Sequence, residues 1–580
     1  MTTHGLQVPR FPRRSFLMGS LSVAALAGLS ACGGGKASNG GGSGSGEEYV
    51  PGSSQLKVQL GPEIEGVLYP DGYIGPKART FEKFSDGSKT YRIVARSFPN
   101  QDVANDNTFS KHLEKATGVK VTYDIVPVGD DGAPKINAMI ASGDLPDAFM
   151  TGPLWMGGFS RSQIWAYGQQ GLFQPVDKLV DEYAPELMSL FSQFPDLRKM
   201  MTAPDGNLYM FPAVNQCYHC KSSEQRTWIH APSAEKVGAD INSVNTLEDF
   251  EALLREVKAA GLIPYTGNID YPPLAMLEMA YLNVGTSRLR RQGDGAISYT
   301  PVEDAYRQVL ITAHRLVKEE LIDPNGFSQT EDQLKRLQMD PAGPRAAIVP
   351  GGSQGSFVDV EYEPNALWRK FQPLKPVTGP DGSAHVAWDY TPGELVGLIL
   401  TKDAQDPTEL IRWADYQTSL VSTLSMRLGA LDTNWDWAKK GDTGIDGRQA
   451  VYKKAEPAKD NDIWYEMGPY NLVMDVRHGE AVDDLTSIEP SLYRAGKLYE
   501  PFASPEGEYF SDPFFTSSQA AQVGEQRVNI DNAFLQGRAN LALGKSDPNN
   551  DADWDAFVNS IKGAGLDQYL QILTEADQAR

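Results

Sequence analysis

From Tyr91 onward, strand-like and helix-like stretches alternate, and that alternation restricts the chain to an α/β architecture. Tyr91–Ala95 reads as a strand. Phe109 and Leu113 then share one helical face, and Gly118 stands where a helix end favours a left-handed residue. Val119, Val121, Tyr123 and Ile125 alternate as a half-buried strand does. A helix carrying Ile136, Met139 and Ile140 follows, and Leu145–Met150 enters another buried strand. Such a pattern predicts an open, largely parallel sheet covered by helices.

The logic repeats further on. Thr246 caps a helix striped by Phe250, Leu253, Leu254 and Val257. A longer helix carries Tyr306, Val309, Leu310, Ala313, Leu316 and Val317 and stops before Pro324. Asp406-Pro407 fits an N-cap with proline at the first helical position, opening a helix that runs past Leu410, Ile411 and Ala414 towards Gly429. Trp554, Phe557, Val558 and Ile561 stripe another helix, and Leu566, Leu570 and Leu573 the last. These stripes are core contacts.

The 580 residues suffice for two or more domains, and 41% apolar content with ten tryptophans marks a globular body. A net charge of −22 excludes a general nucleic-acid binder, which needs basic surface. The same charge suits solubility on a crowded cell exterior.

The N-terminus reads as an address, an anchor and a leash. Arg13-Arg14 precede an apolar run too short to span a membrane comfortably, and the run ends in small residues at Cys32. This order resembles a bacterial twin-arginine signal joined to a lipoprotein box. The resemblance implies a signal peptide over 1–31, cleavage before Cys32 and diacylglycerol on its sulfur. The Gly/Ser-rich tract after Cys32, within 32–55, is a flexible tether. Pro12 stands where a Ser or Thr is common, which leaves the export route open. With Cys32 lipidated, Cys217 and Cys220 remain as a pair outside the cell, where oxidising conditions favour a disulfide.

Several segments match one family in order. Asn107–Val121, Ser142–Asp147, Asp205–Tyr209 with Pro212, Thr246–Phe250, Pro344–Ile348 and Leu428-Gly429 with Trp554–Leu573 resemble the extracellular solute-binding proteins of bacterial ABC importers. The likeness is to their long oligosaccharide-binding branch, which includes alginate-binding lipoproteins. It implies a two-lobed, type II periplasmic-binding-protein-like fold with hinge strands and a ligand cleft between the lobes. Matching segments place the N-terminal lobe at 56–218 and 375–430, and the C-terminal lobe at 219–374 and 431–580. The first crossing falls near Pro212–Trp228 and the return near Pro373–Trp388. The implied partners are a carbohydrate ligand and the permease of an importer, with lipid holding the protein at the outer face of the membrane and no cofactor required. Long-branch relatives often carry a calcium loop after the helix beginning at Thr246. Here Lys258–Pro264 offers no carboxylates, so no metal is expected there. Asp547–Asp551 reads as a helix-capping loop.

A sugar site needs aromatic planes and polar rims just beyond the carboxyl ends of strands. The candidates by that rule are Trp155, Gln216, Asp270, Tyr271, Trp388, Asp389, Trp435, Trp437 and Trp464. Each competes with a plainer role as a hydrophobic plug or loop anchor. Trp413 and Trp554 look helical and structural, while Trp165 and Trp228 are undecided.

Three enzymatic alternatives compete. Gly351-Gly352-Ser353-Gln354-Gly355 satisfies G-x-S-x-G after an apolar strand, which would make Ser353 an esterase nucleophile. The helix that should follow is poor, since Phe357–Val360 alternates and then reaches Pro364. Cys217-Tyr218-His219-Cys220 has the form of a thiol oxidoreductase motif, but no thioredoxin pattern surrounds it, and a structural disulfide near the hinge fits better. His219 and His230 lack a second clear ligand pair for zinc. Lys545-Ser546 is no phosphate loop, because Ala539 occupies the required first glycine. A glycosidase needs two positioned carboxylates, and 75 acidic residues make any pair uninformative.

Overall fold

The computed structural model describes residues 54–97, 106–128, 132–152, 157–285, 287–361, 363–391, 397–465, 467–482 and 487–579. The expected signal peptide, Cys32, most of the tether, and Trp155 lie outside the described residues.

The first lobe is built on a five-stranded sheet. Thr90–Ser97 is flanked by Lys120–Pro127 and Ala148–Thr151, both parallel to it. Gly397–Leu400 then pairs antiparallel with Ala148–Thr151 and with Phe211–Pro212, so the chain returns to this lobe after a long excursion. The connecting helix Thr108–Thr117 starts where Asn107 accepts the N–H groups of Phe109 and Ser110. It stops at Gly118, whose φ of 82° is left-handed. A Cβ there would lie 2.2 Å from the Ser85 carbonyl oxygen, so glycine is required on two counts.

The second sheet has the order Phe371–Pro373, Thr227–His230, Ala346–Pro350, Ile263–Tyr265. Ala346–Pro350 runs parallel to Ile263–Tyr265 and antiparallel to Thr227–His230. Helix Leu247–Ala259 opens with a capping box between Thr246 and Asp249, and its stripe packs into the second core. The helix begun by Asp406-Pro407 ends at Gln417 and a new one starts at Leu420. Thr418 donates its hydroxyl to the Asp415 carbonyl, and Ser419 caps the next helix, so local side-chain bonds divide what apolar spacing read as one element.

Two separate apolar cores follow these sheets, with a smaller cluster beside the second. Their membership moves the lobe boundaries. Leu374, Val377, Val386 and Trp388 pack in the second core, so 375–388 does not belong to the first lobe as matched segments suggested. Trp435, Val451, Tyr452, Trp464, Leu472 and Val476 pack in the first core, so 431–476 is not part of the second. The reason is aromatic burial: a strand pair, Trp435–Trp437 with Tyr452–Lys454, folds the chain back over the first lobe. The core changes hands between Val214 and Tyr218, between Trp388 and Leu398, and between Val476 and Leu492.

The lead-in forms a strap across the first lobe. Lys57 bonds the Glu182 carbonyl through its backbone and the Glu182 carboxylate through its ammonium at 2.7 Å. Tyr69, Tyr73, Phe81 and Phe84 lie against the first core.

Glu186 and Asp415 are two buried acids in this lobe. Asp415 accepts the N–H groups of Glu186 and Leu187 at 3.2 and 2.9 Å, closing the start of helix Pro185–Gln193. Burial, with Asp415 nearby, pushes the Glu186 carboxyl up to about 8. Burial likewise raises Asp415 to about 7. A raised acid binds protons better folded than unfolded, so its contribution to stability is complete at acid pH and is lost as pH rises through the folded value. Glu186→Gln is therefore expected to raise the thermal midpoint by several degrees at pH 8 and by little at pH 5, as read by circular dichroism at both pH values. An unchanged or lowered midpoint at pH 8 contradicts this account.

Candidate functional site

The lobes are stitched together where the chain crosses between them. Val214-Asn215 pairs in parallel with Asn471-Leu472, which joins the first crossing to the approach of the third. Arg477 donates to Asn215 Oδ1 at 2.6 Å and lies 3.6 Å from Glu489 across the third crossing. His219 Nδ1 lies 3.2 Å from the same carboxylate. Burial disfavours charge on Glu489, but the cationic groups around it, Arg477 among them, outweigh burial and hold it well below the usual carboxylate range. Cys217 and Cys220 are joined by a disulfide immediately beside this knot. Gln216 turns its amide oxygen to the Met474 N–H at 3.0 Å, which ties the first crossing to the third.

A cavity of about 350 Å³ opens at this junction. That volume lies towards the low end of small-ligand sites, which span roughly 300–1,000 Å³. Tyr218 is its aromatic centre. The Tyr218 ring meets Trp388 at 6.0 Å, His478 at 5.8 Å and Tyr493 at 5.2 Å, the first two edge to face. The opposing wall comes from the first lobe and is charged. Arg448 donates from Nε to Asp446 at 2.7 Å and from Nη2 to Asp475 at 2.5 Å, so two carboxylates fix the plane of one guanidinium. The other oxygen of Asp475 accepts the backbone N–H of Ile74 at 2.7 Å, so the lead-in strap holds this wall. Lys497 is paired with Glu500 at 2.9 Å and sits 4.8 Å above the Tyr218 ring. Lys221 completes the charged lining. Burial lowers the His478 pKa, so this imidazole is neutral near pH 7.

The structure brings some sequence candidates here and removes others. Trp388 lines the cavity, 7% exposed. Asp389 follows it on the surface and accepts the Thr391 N–H at 2.6 Å. Asp270 and Tyr271 sit after strand Ile263–Tyr265, in a turn where Asn268 Oδ1 accepts both their N–H groups, and they are not among the cavity residues. Trp435 and Trp464 are not exposed at all. Trp435 donates to the Gly429 carbonyl, and Trp464 donates to Ser110 among the rings of Phe109, Tyr123 and Trp413. Both are core residues rather than ligand contacts, and Trp437 packs edge to face on Trp435 beside them. Trp228 is fully buried and donates to the Gly351 carbonyl. Trp165 meets Phe514 edge to face at 6.3 Å, and the next residue, Phe515, donates its N–H to Ser162, so the lobes also touch away from the hinge.

Ser353 has extended backbone at φ −149° and ψ 167°, without the sharp elbow a nucleophile of that motif requires. Among the described residues the histidines engage other groups, including Tyr416, Ser233, Glu489 and Asp446. Asn550 caps helix Asp551–Gly563, the capping role read for that acidic loop.

The cavity residues that sequence reasoning missed come from unexpected elements. Tyr218 stands inside the Cys-x-x-Cys motif, and Tyr493 and Lys497 lie four apart on helix Glu489–Tyr499. That pairing on one face, opposite the buried Leu492, Ala495 and Tyr499, was the available signal.

Trp464→Ala should cost about 3–5 kcal/mol of stability by emptying a packed aromatic site. Denaturant unfolding measures this, and a cost within ~0.5 kcal/mol would contradict the core assignment.

Comparison with known proteins agrees with this architecture. The family model described as "Bacterial extracellular solute-binding protein" matches residues 99–216. The chain is 23% identical over 522 residues to the fructooligosaccharide ABC transporter substrate-binding protein FusA of Streptococcus pneumoniae serotype 4, covering 83% of this chain and 89% of that protein. The solved structure of FusA in complex with kestose superposes with a TM-score of 0.66 at 20% identity, over 84% of this chain and 99% of that one. An extracellular solute-binding protein from Bifidobacterium longum subsp. infantis gives 0.68 at 18% identity, over 86% and 99% of the two chains. The alginate-binding protein AlgQ2 without calcium ion gives 0.60 at 19% identity, over 84% and 98%. The fold is that of two-lobed type II periplasmic binding proteins, and residues 99–216 match the family of bacterial extracellular solute-binding proteins.

Proposed function

We propose that this protein captures an oligosaccharide outside the cell and delivers it to the permease of an ATP-driven importer. The observation that carries this reading is the cavity at the lobe junction, where Tyr218, Trp388 and Tyr493 face ionic groups held in fixed geometry. Rings suit the apolar faces of sugars, and fixed charges suit their hydroxyls. The position matters as much as the composition. A ligand seated where three crossings meet contacts both lobes, and only a ligand that binds the closed arrangement better can drive closure. The names of the relatives point the same way: one is a fructooligosaccharide-binding transporter component and another binds alginate.

Anchoring through Cys32 completes the reading. No helix among the described residues is long and apolar enough to cross a membrane. A lipid on Cys32 followed by a Gly/Ser tether keeps the cleft near its permease while leaving it free to turn. Diacylglycerol supplies two chains, enough for stable anchorage.

Titration of the mature protein with a panel of neutral and acidic oligosaccharides, followed by tryptophan fluorescence, should reveal saturable binding. Trp388→Ala should weaken the bound sugar about tenfold, the order expected from loss of one stacking surface. Unchanged affinity in a folded Trp388→Ala protein would remove this cavity as the site. Cys32→Ala should shift the protein from the membrane fraction to the medium in cells that express it. Retention in the membrane fraction would exclude the lipid anchor.

A further inference from the structure

We infer that the cavity selects a neutral saccharide and turns away a carboxylate-bearing one. This rests on the cavity being the saccharide site, and it goes further by naming the ligand's charge. Three cations and three carboxylates line the space, and their pairing decides what the space attracts. Arg448 is committed to two carboxylates, Asp446 and Asp475, and is therefore overcompensated. Lys497 is committed to Glu500. Lys221 makes no ion pair within 4.0 Å among the described residues, but the charges it feels are the carboxylates of Asp389, Glu506 and Glu500. His478 adds no positive charge near neutral pH, because burial lowers its pKa and outweighs the opposing pull of Asp446, 3.6 Å from its Nδ1. An entering uronate would find Lys221 as the cavity cation without an ion pair among the described residues, and that ammonium already lies in the field of Asp389, Glu506 and Glu500. The uronate would lose water and meet like charge on the Arg448 side.

A neutral sugar meets no such penalty. Arg448 Nη1 makes no hydrogen bond within the protein among the described residues, so its N–H groups remain as donors for hydroxyls while Asp446 and Asp475 hold the plane. Arg226 is a buried guanidinium with Nε and Nη2 unpartnered among the described residues, but it does not line the cavity, and Glu489 acts on it electrostatically.

The test is isothermal titration of the mature protein with neutral di- to pentasaccharides (fructo-, gluco-, galacto- and manno-series) and with alginate and galacturonate oligomers. A galacturonate trimer is run against its carboxyl-reduced form as a matched pair. The expected result is that the tightest ligand is neutral and that every acidic oligomer binds at least about tenfold more weakly. Asp446→Asn should narrow that gap several-fold by releasing Arg448. Glu500→Gln, on an exposed side chain, should narrow it by releasing Lys497 should the first variant fail to fold. An acidic oligomer binding as tightly as the best neutral one, or a gap unchanged in the folded variants, overturns the charge selection and leaves saccharide capture standing. A panel in which nothing binds overturns both.

Discussion

The molecule depends on how three chain crossings are held at one place. Each lobe has its own sheet and core, and each would be a complete α/β unit if the chain passed only once between them. Instead the first crossing pairs with the approach to the third through Val214-Asn215 and Asn471-Leu472. Arg477 bonds one crossing and faces Glu489 beyond the other. This half-buried polar knot fixes where the lobes meet without fusing their cores. Removing one partner of such a pair is costly, whereas small rotations that keep the pairs intact are not. A hinge of this kind gives a ligand something to close.

The cavity inherits its character from that knot. Tyr218 follows the first crossing, Trp388 precedes the second, and Met474, Asp475 and His478 lead into the third. Aromatic groups therefore come from segments that must be near the hinge whatever the ligand. The elements laid against them are the Arg448 wall of the first lobe and helix Glu489–Tyr499 of the second, and the proposed specificity rests on these. The strap reaches this wall through the Ile74 N–H, so the lead-in segment also supports the cavity.

Much of the fold was legible because its signals are local. The caps at Thr246 and Asp406, the left-handed glycine at Gly118 and the alternation from Val119 to Ile125 all act within a few residues. The lobe boundaries were less legible because membership is a long-range property. Nothing near Trp435 or Trp464 states that these rings turn back into the first core, and their polar flanks made them look like cleft residues. The 26-residue helix Ser517–Ala542 was also unread, since its buried positions include Gly524 and Arg538 and its apolar stripe is sparse. The site was legible only in part. Of the residues lining the cavity, Trp388 was a candidate through its place in the return segment, whereas Tyr218 hid inside a cysteine motif and Tyr493 and Lys497 on a helix. A search confined to loops at strand ends passes over groups that hinge geometry brings together.

The most direct measurement is a crystal structure of the mature protein grown with the saccharide that binds it. The account predicts a sugar ring in van der Waals contact with Trp388 or Tyr218, hydroxyls within hydrogen-bond reach of Arg448, and both lobes touching the ligand. A saccharide seated away from the lobe junction, or held by one lobe alone, would contradict it.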